Sequence, residues 1–587
     1  MKRLFVLLLI VVTGTLAYAD NSKLSPELQG NTSSQPVQVI VHYAPGTQVT
    51  CTGLLGLLDC LVNDVLKLGG KIVGELPLIN GIVAQLDGNG IQSLSNHSNV
   101  VYISSDRPLQ SSLSNAAYAV NAPFAWQSNY VGTGVGVALI DSGVNNHPDL
   151  DLGILPISRV VYQQSFVPGN SSAKDQYGHG THVAGLIAGD GLSSTGLAYS
   201  KTFKGIAPGA SIINLRVLDQ NGSGTDSEVI AAINQAISLK STYNIRVINL
   251  SLGRAVYETY KLDPLCQAVE QAWKNGIVVV VAAGNNGRYQ TTDGYATVTS
   301  PGNDPYVITV GAMKPMGTPT RVDDQIASYS SKGPTVVDAF VKPDLVAPGN
   351  LLTSLEAQNS TLYNELPGNQ VPFSYYVKGG SSTISSTYFT LSGTSMATGI
   401  VSGVVADLLQ KSPRLTPDQV KARLMLTAYK TFPQFSSTTD PTTGITYTDQ
   451  YDVFTIGAGY VDIEAALSSN AVATGTAMSP VTTFNSTTDE VTMTADPSAV
   501  WNKSSTWSYT QVWGASQFVT GTSTVSTSAT ASAAVSGSNV LWGSDAVWGS
   551  NVLWGSNVLW GSNVLWGSNV LWGSNVLWGS NVSGGEN

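Results

Sequence analysis

The stretch "GIVVVVAAG", ending at Gly284, constrains this chain more than any other part of it. Four consecutive valines with no polar partner cannot alternate between core and water, so a strand here must be covered on both faces. Three more segments share that character: "VGVALI" before Asp141, "SIINLRVL" before Asp219 and "RVINLSL" before Gly253. Between them lie amphipathic runs such as "DSEVIAAINQAISL". Buried strands alternating with helices predict an α/β fold whose mostly parallel sheet carries helices on both faces. Each strand ends in Gly, Asp, Asn or Ser, and in open α/β sheets sites are built at the carboxyl ends of the strands.

Three Gly-flanked stretches each present one reactive side chain, in the order Asp, His, Ser. They are "ALIDSGVNNHPDL" with Asp141, "DQYGHGTHVAGLIAG" with His179 and "LSGTSMATGIVSG" with Ser395. A serine hydroxyl becomes a nucleophile when a base takes its proton. An imidazole does this near neutral pH, and a buried carboxylate fixes its tautomer and stabilises its charged form. Asp141 ends an apolar strand, His179 stands near the start of a small-residue helix, and Ser395 opens the helix "MATGIVSGVVADLLQ", whose free N–H groups favour negative charge. Asn285, just after the valine strand, is placed to donate to the oxyanion of a tetrahedral intermediate together with the Ser395 N–H. Each motif alone also reads as an ordinary turn or helix cap. Four such motifs, all at strand or helix ends of one domain, point to a shared site.

Over about residues 121–469 these motifs resemble the subtilisin-like serine peptidases, the subtilases, whose chain order is also Asp, His, Ser. The resemblance implies Asp141 as orienting acid, His179 and not His182 as general base, Asn285 as oxyanion-hole amide and Ser395 as nucleophile. It further implies that Ser251, Leu252 and Gly253, with Ala283 and Gly284, line a cleft where an extended peptide pairs as an added strand. "SPGNDPYVITVGA" and "KPDLVAPG" also match family segments. The chain departs from the pattern at Gly399 and Ile400, where Pro and often His are common. Glycine inside a helix costs about 1 kcal/mol relative to Ala, which predicts a less rigid nucleophile helix. The family's calcium loop is not evident in "GDGLSSTGLAYSKTFKGIAPGA". No cofactor is required by the chemistry, the metal requirement is open, and Asp149 is the residue that could contribute to a calcium site.

The flanks complete the organisation. "MKRLFVLLLIVVTGTLAYAD" has two basic residues, an apolar run and small residues before a cleavage point after Ala19, which reads as a secretory signal over 1–19. A membrane span needs about 18 to 20 apolar residues, and this run is cut short from Thr13. Residues 20–110 read as β-α-β-β-α-β, with Val37, Val39, Val41 and Tyr43 alternating and a helix-like run from Leu54 to Leu68. By the resemblance this α+β unit is an inhibitory propeptide, cleaved between Asp106 and Ala117. The catalytic domain then spans 111–469. Residues 470–534, rich in Ser and Thr and nearly uncharged, read as a linker with decayed repeats at Trp501, Trp507 and Trp513. Residues 535–587 repeat "NVLWGS", with seven tryptophans at six-residue steps from Trp542 to Trp578. An even period keeps every Trp on one face of an extended chain, so the tail is predicted as β structure or, alternatively, disordered.

Charged residues make up 11% of the chain and the net charge is −10, without a basic run, which excludes a nucleic-acid binder built on basic patches. Only three cysteines are present: Cys51 and Cys60 are close enough in sequence to pair, and Cys266 sits at a helical core position. The reading is a secreted or surface-associated serine endopeptidase acting on proteins or peptides, made as a zymogen restrained by its own propeptide. Its tail would hold it to a cell surface, to polysaccharide or to other copies. The competing reading is an adhesin or assembly protein with an inert peptidase-like scaffold.

Overall fold

The computed structural model describes residues 20–536 except 26–27, 45–61, 77–79, 106–111, 441–442, 486–489, 503, 515–517, 521–522 and 526–533. The hydrophobic leader, Cys51 and Cys60, the first part of the expected cleavage window and the repeats from residue 537 therefore lie outside the described residues. The chain divides into two compact units, residues 1–109 and 110–587.

The first unit is a four-stranded antiparallel sheet with two helices. Its elements are β1 (Val37–Tyr43), α1 (Val62–Lys67), β2 (Lys71–Leu76), β3 (Gly81–Leu86), α2 (Gly88–Ser95) and β4 (Val100–Ser105), in sheet order β2-β3-β1-β4. The alternation read in β1 is real: Val39, Val41 and Tyr43 are buried against Ile82, Ala84, Ile91, Leu94 and Ile103. Asp87 caps α2 by accepting the Gly90 N–H.

The second unit is built on an eight-stranded, mainly parallel sheet. Its strands are β5 (Gly136–Asp141), β6 (Val160–Ser165), β7 (Ser211–Arg216), β8 (Ile245–Leu250), β9 (Val278–Ala282), β10 (Ile308–Lys314), β11 (Gln325–Ile326) and β12 (Leu345–Pro348). They lie in the order β11-β10-β9-β8-β5-β7-β6, with β12 also paired to β10 and β11 alone antiparallel. Every residue of β5 and β9 is buried, as a parallel sheet covered on both faces requires. The chain runs outward from β5 to β6, returns to β7 and then crosses to β8 on the other side of β5. Such a reversal opens a crevice at the carboxyl ends of the central strands.

Helix α3 (His179–Ala188) packs against a long helix over Thr394–Lys411, while the helices over Asp226–Tyr243 and Pro264–Lys274 pack against each other and against β8 and β9 respectively. The last of these is capped by Asp263 with Pro264 in its first turn, and it carries Cys266, a fully buried free thiol. Burial pushes that thiol's pKa far up, so it packs and does not react.

At the amino ends of β10 and β12 the core encloses a charge. Asp344 accepts from Lys342 Nζ (2.7 Å), Lys421 Nζ (3.0 Å), the Thr309 N–H (2.8 Å) and Ser479 Oγ (2.7 Å). Both lysines also bond the Val307 carbonyl. Burial alone would raise the Asp344 pKa, but the two ammonium groups hold it below the ordinary value.

The segment whose composition predicts a linker behaves differently through Trp513. Trp501, Trp507 and Trp513 are buried in the same core as the sheet, joined by Val491, Met493 and Val500. They sit on two single turns and a short helix, not on strands. Trp501 and Trp513 meet edge to face at 5.0 Å, and Trp501 Nε1 donates to the Met478 carbonyl. A few aromatic anchors suffice to seat a segment on an existing core, which is why neither period nor charge disclosed it.

Candidate active site

Asp141, the last residue of β5, lies one step from the 142–143 turn, and α3 begins at His179 directly against that turn. The approach is close enough to require glycine: a Cβ on Gly180 would stand 2.2 Å from the Gly143 carbonyl oxygen. His179 Nδ1 is 2.8 Å from Asp141 Oδ1, and both side chains are 1% exposed. The same oxygen accepts the Ser142 N–H at 2.7 Å. Acceptance by the carboxylate assigns the proton to Nδ1 and leaves Nε2 as the free base. Burial alone would depress the imidazole pKa, but the Asp141 charge and hydrogen bond outweigh it and the net shift is upward.

The α3 start is held by a carboxylate that sequence reading passed over. Asp175 Oδ1 accepts from the Gly178 and Tyr177 N–H groups and from Ser142 Oγ, and Oδ2 accepts the Thr181 N–H at 2.8 Å. Ser142 Oγ in turn accepts the Gly180 N–H. Asp175 thus caps the helix and ties it to the Asp141 turn. Asp175 lies three residues before the N-cap Gly178, so the capping rule for sequences does not point to it. The second histidine of "HGTH" has another environment: His182 Nε2 lies 3.0 Å from the Leu352 carbonyl, and burial pushes its pKa down to about 3. It is a neutral packing group.

Ser395 is the second residue of helix α4 (Thr394–Lys411), buried and under the carboxyl ends of β8 and β9. Its Oγ donates to the Ser251 carbonyl at 3.1 Å. The hydroxyl is therefore not on His179, whose Nε2 has no partner among the described residues. The main chain of Ser395 is anchored by a relay that the sequence reading also missed: Ser402 Oγ donates to Asn249, Asn249 Nδ2 to Ser251 Oγ, and Ser251 Oγ to the Ser395 carbonyl. Gly399, a departure from the family pattern, faces α3. A Cβ there would meet Val183 at 3.3 Å and Leu186 at 3.4 Å, so glycine serves the crossing of the two helices that carry His179 and Ser395. Residues 394–409 are all buried, and packing supplies the rigidity that glycine's propensity lacks.

Asn285 follows β9. Its Oδ1 accepts from the Thr394 N–H at 2.9 Å and Thr394 Oγ1 at 3.0 Å, which assigns the amide so that its NH2 group is the donor. Thr394 Oγ1 also accepts the Gly284 N–H. The oxyanion candidate and the nucleophile helix are thereby one rigid piece. Of the expected cleft residues, Ser251, Leu252 and Gly253 leave β8, and Ala283 and Gly284 leave β9. The Ala283 N–H donates to Val310, its carbonyl accepts from Thr299, and the Gly284 carbonyl accepts from Ser331. These two form a wall whose main-chain groups are already used, so they do not offer a ladder to a peptide. Thr299 fills the space between the two glycines: a Cβ on Gly253 or Gly284 would fall within 3 Å of its side chain.

Asp149 does not fit a calcium site. Its Oδ1 accepts the Ser193 N–H, its Oδ2 accepts the Tyr388 hydroxyl, both at 2.7 Å, and its carbonyl accepts Arg159 Nη2 at 2.8 Å. Arg159 also bonds the Asp151 and Ala210 carbonyls, so the guanidinium spends its donors on main-chain oxygens of this region. Among the described residues, three or more His, Cys, Asp or Glu side chains nowhere gather as metal ligands. No described helix is long and apolar enough to cross a membrane.

Residues 132–459 match the Subtilase family. Serine protease AprX of Bacillus subtilis is 37% identical over 362 residues, covering 60% of this chain and 75% of the relative. Subtilisin E of Bacillus subtilis is 32% identical over 435 residues, covering 73% and 94%. M-protease of Shouchella clausii is 29% identical over 399 residues, covering 68% and 81%.

Proposed function

Because the chain belongs to the subtilase family and is a subtilisin-like serine endopeptidase, we propose that Asp141, His179, Ser395 and Asn285 carry its catalysis. The observation that carries this assignment is the buried 2.8 Å contact of His179 with Asp141, with the opposite ring nitrogen left without a partner among the described residues. Ser395 Oγ turns from the Ser251 carbonyl to His179 Nε2, gives up its proton and attacks the peptide carbonyl carbon. The carbonyl oxygen becomes an oxyanion, bonded by the Asn285 amide and the Ser395 N–H. As the C–N bond breaks, His179 returns the proton to the leaving amine. Water, deprotonated by the same imidazole, then attacks the acyl-enzyme and releases the acid product and Ser395.

The substrates are proteins or peptides. Residues 1–19 act as a secretory signal and 20–110 as the propeptide that occupies the cleft until cleavage, so the enzyme is exported as a zymogen. The repeats of 535–587 hold it at a cell surface or on polysaccharide and take no part in turnover. Asp149 serves as a structural carboxylate held by the Ser193 N–H and the Tyr388 hydroxyl, and catalysis needs no cofactor. Ser395→Ala is expected to abolish casein hydrolysis by about 10⁶-fold and to accumulate the precursor. Normal processing and hydrolysis in that variant would overturn the assignment.

A further inference from the structure

A second concavity is lined in part by Asp175 and Gln176, which lead along the chain into His179. It has a volume of about 680 Å³ and is lined entirely by polar residues, among them Asn146, Lys174, Gln176, Gln220, Asn359 and Asn364. It is built, not incidental. The Thr361 N–H donates to the Gln176 carbonyl, the Leu362 N–H to the Tyr177 carbonyl, and Thr361 Oγ1 to the Gln220 carbonyl. The 358–364 segment is thus clamped onto the two residues that lead through Gly178 into His179. Gln176 is itself oriented: its Oε1 accepts Arg216 Nη2 (2.8 Å) and Asn170 Nδ2 (3.0 Å), which turns its N–H groups outward. Asn364 Nδ2 donates to the Ser360 carbonyl and leaves its oxygen as an acceptor. Asp175, the one carboxylate in the lining, spends both oxygens on donors at the start of α3, and Lys174 is the one cation in the lining.

We infer that this cleft is a substrate subsite for hydrophilic side chains, namely amides, hydroxyls and carboxylates, a few residues from the scissile bond. The inference rests on the peptidase reading above. Side-chain amides supply donors and acceptors together, and Lys174 adds attraction for a carboxylate. An apolar side chain would strip water from these groups and give nothing back.

The test uses the mature enzyme and a peptide series with one fixed scissile bond, in which each flanking position carries Gln, Glu or Leu in turn. At one position the enzyme is expected to prefer Gln and Glu over Leu by roughly 3- to 10-fold in kcat/KM, expressed in KM. In an Asn146→Ala, Gln220→Ala double variant, checked for folding by thermal melt, that ratio falls toward one. In Gln220→Leu it inverts or is lost. Equal cleavage of Gln and Leu peptides at every position, or a preference that survives in the folded double variant, overturns the inference. Absence of any Ser395-dependent cleavage would instead fell the peptidase reading on which it stands.

Discussion

The two ends of the parallel sheet treat buried charge in opposite ways. At the amino ends of β10 and β12, Asp344 has four donors, two of them ammonium groups, and its need for partners is fully met. At the carboxyl ends of β5, β8 and β9, Asp141 Oδ2 and His179 Nε2 are equally buried yet lack partners among the described residues. A buried polar atom without a partner is costly. At the proposed triad, a substrate and a moving serine proton would meet that need. Asp344 is locked into the architecture, whereas the proposed triad keeps two valences open.

The comparison can be broken at either end. Asp344→Asn leaves two buried ammonium groups uncompensated and should lower unfolding free energy by about 3–5 kcal/mol, measured by denaturant melts. The folded fraction should keep its kcat/KM. A larger loss of kcat than of stability would erase the division of labour. At the other end, Asn285→Ala should lower kcat by about 10²–10³-fold with a small change in KM, and lower stability by about 1–3 kcal/mol because the Thr394 N–H loses its acceptor. A change confined to KM would move Asn285 from the oxyanion to ground-state binding.

The smallest effect concerns pH, where stability and activity carry opposite signs. The His179 pKa is raised above its ordinary value near 6.5, with Asp141 outweighing burial. The ion pair therefore stabilises the fold fully below about pH 6.5 and ceases to do so as pH rises through the raised value. Activity needs the neutral imidazole, so kcat/KM should fall as pH drops through that same raised value. In Asp141→Asn the acid limb should move to lower pH, and an unmoved limb would detach His179 from the profile.

Asp141, His179, Ser395 and Asn285 stand out in the sequence because each lies within two residues of a glycine at the start or end of an apolar run. The parallel sheet was legible for the same reason, since "VVVV" admits no half-exposed strand. What positions the site was less visible. Ser402 and Asn249 lie within apolar segments and gain meaning only when β8 meets the nucleophile helix. The edge strand β6 "VVYQQS" carries too weak a pattern to stand out from a loop. Arg159 has no sequence signature of an internal counter-ion, because its three carbonyl partners come from positions 149, 151 and 210. Trp501 and Trp513 were read by their six-residue spacing, whereas tertiary packing uses them as separate anchors.

The central claim is that the unmet valences around His179 exist to activate Ser395. A fluorophosphonate probe followed by peptide mapping by mass spectrometry tests it directly. The account predicts one adduct, on Ser395, formed in step with loss of hydrolysis and absent from His179→Ala. An adduct on another residue, or full inactivation with Ser395 unmodified, would contradict it.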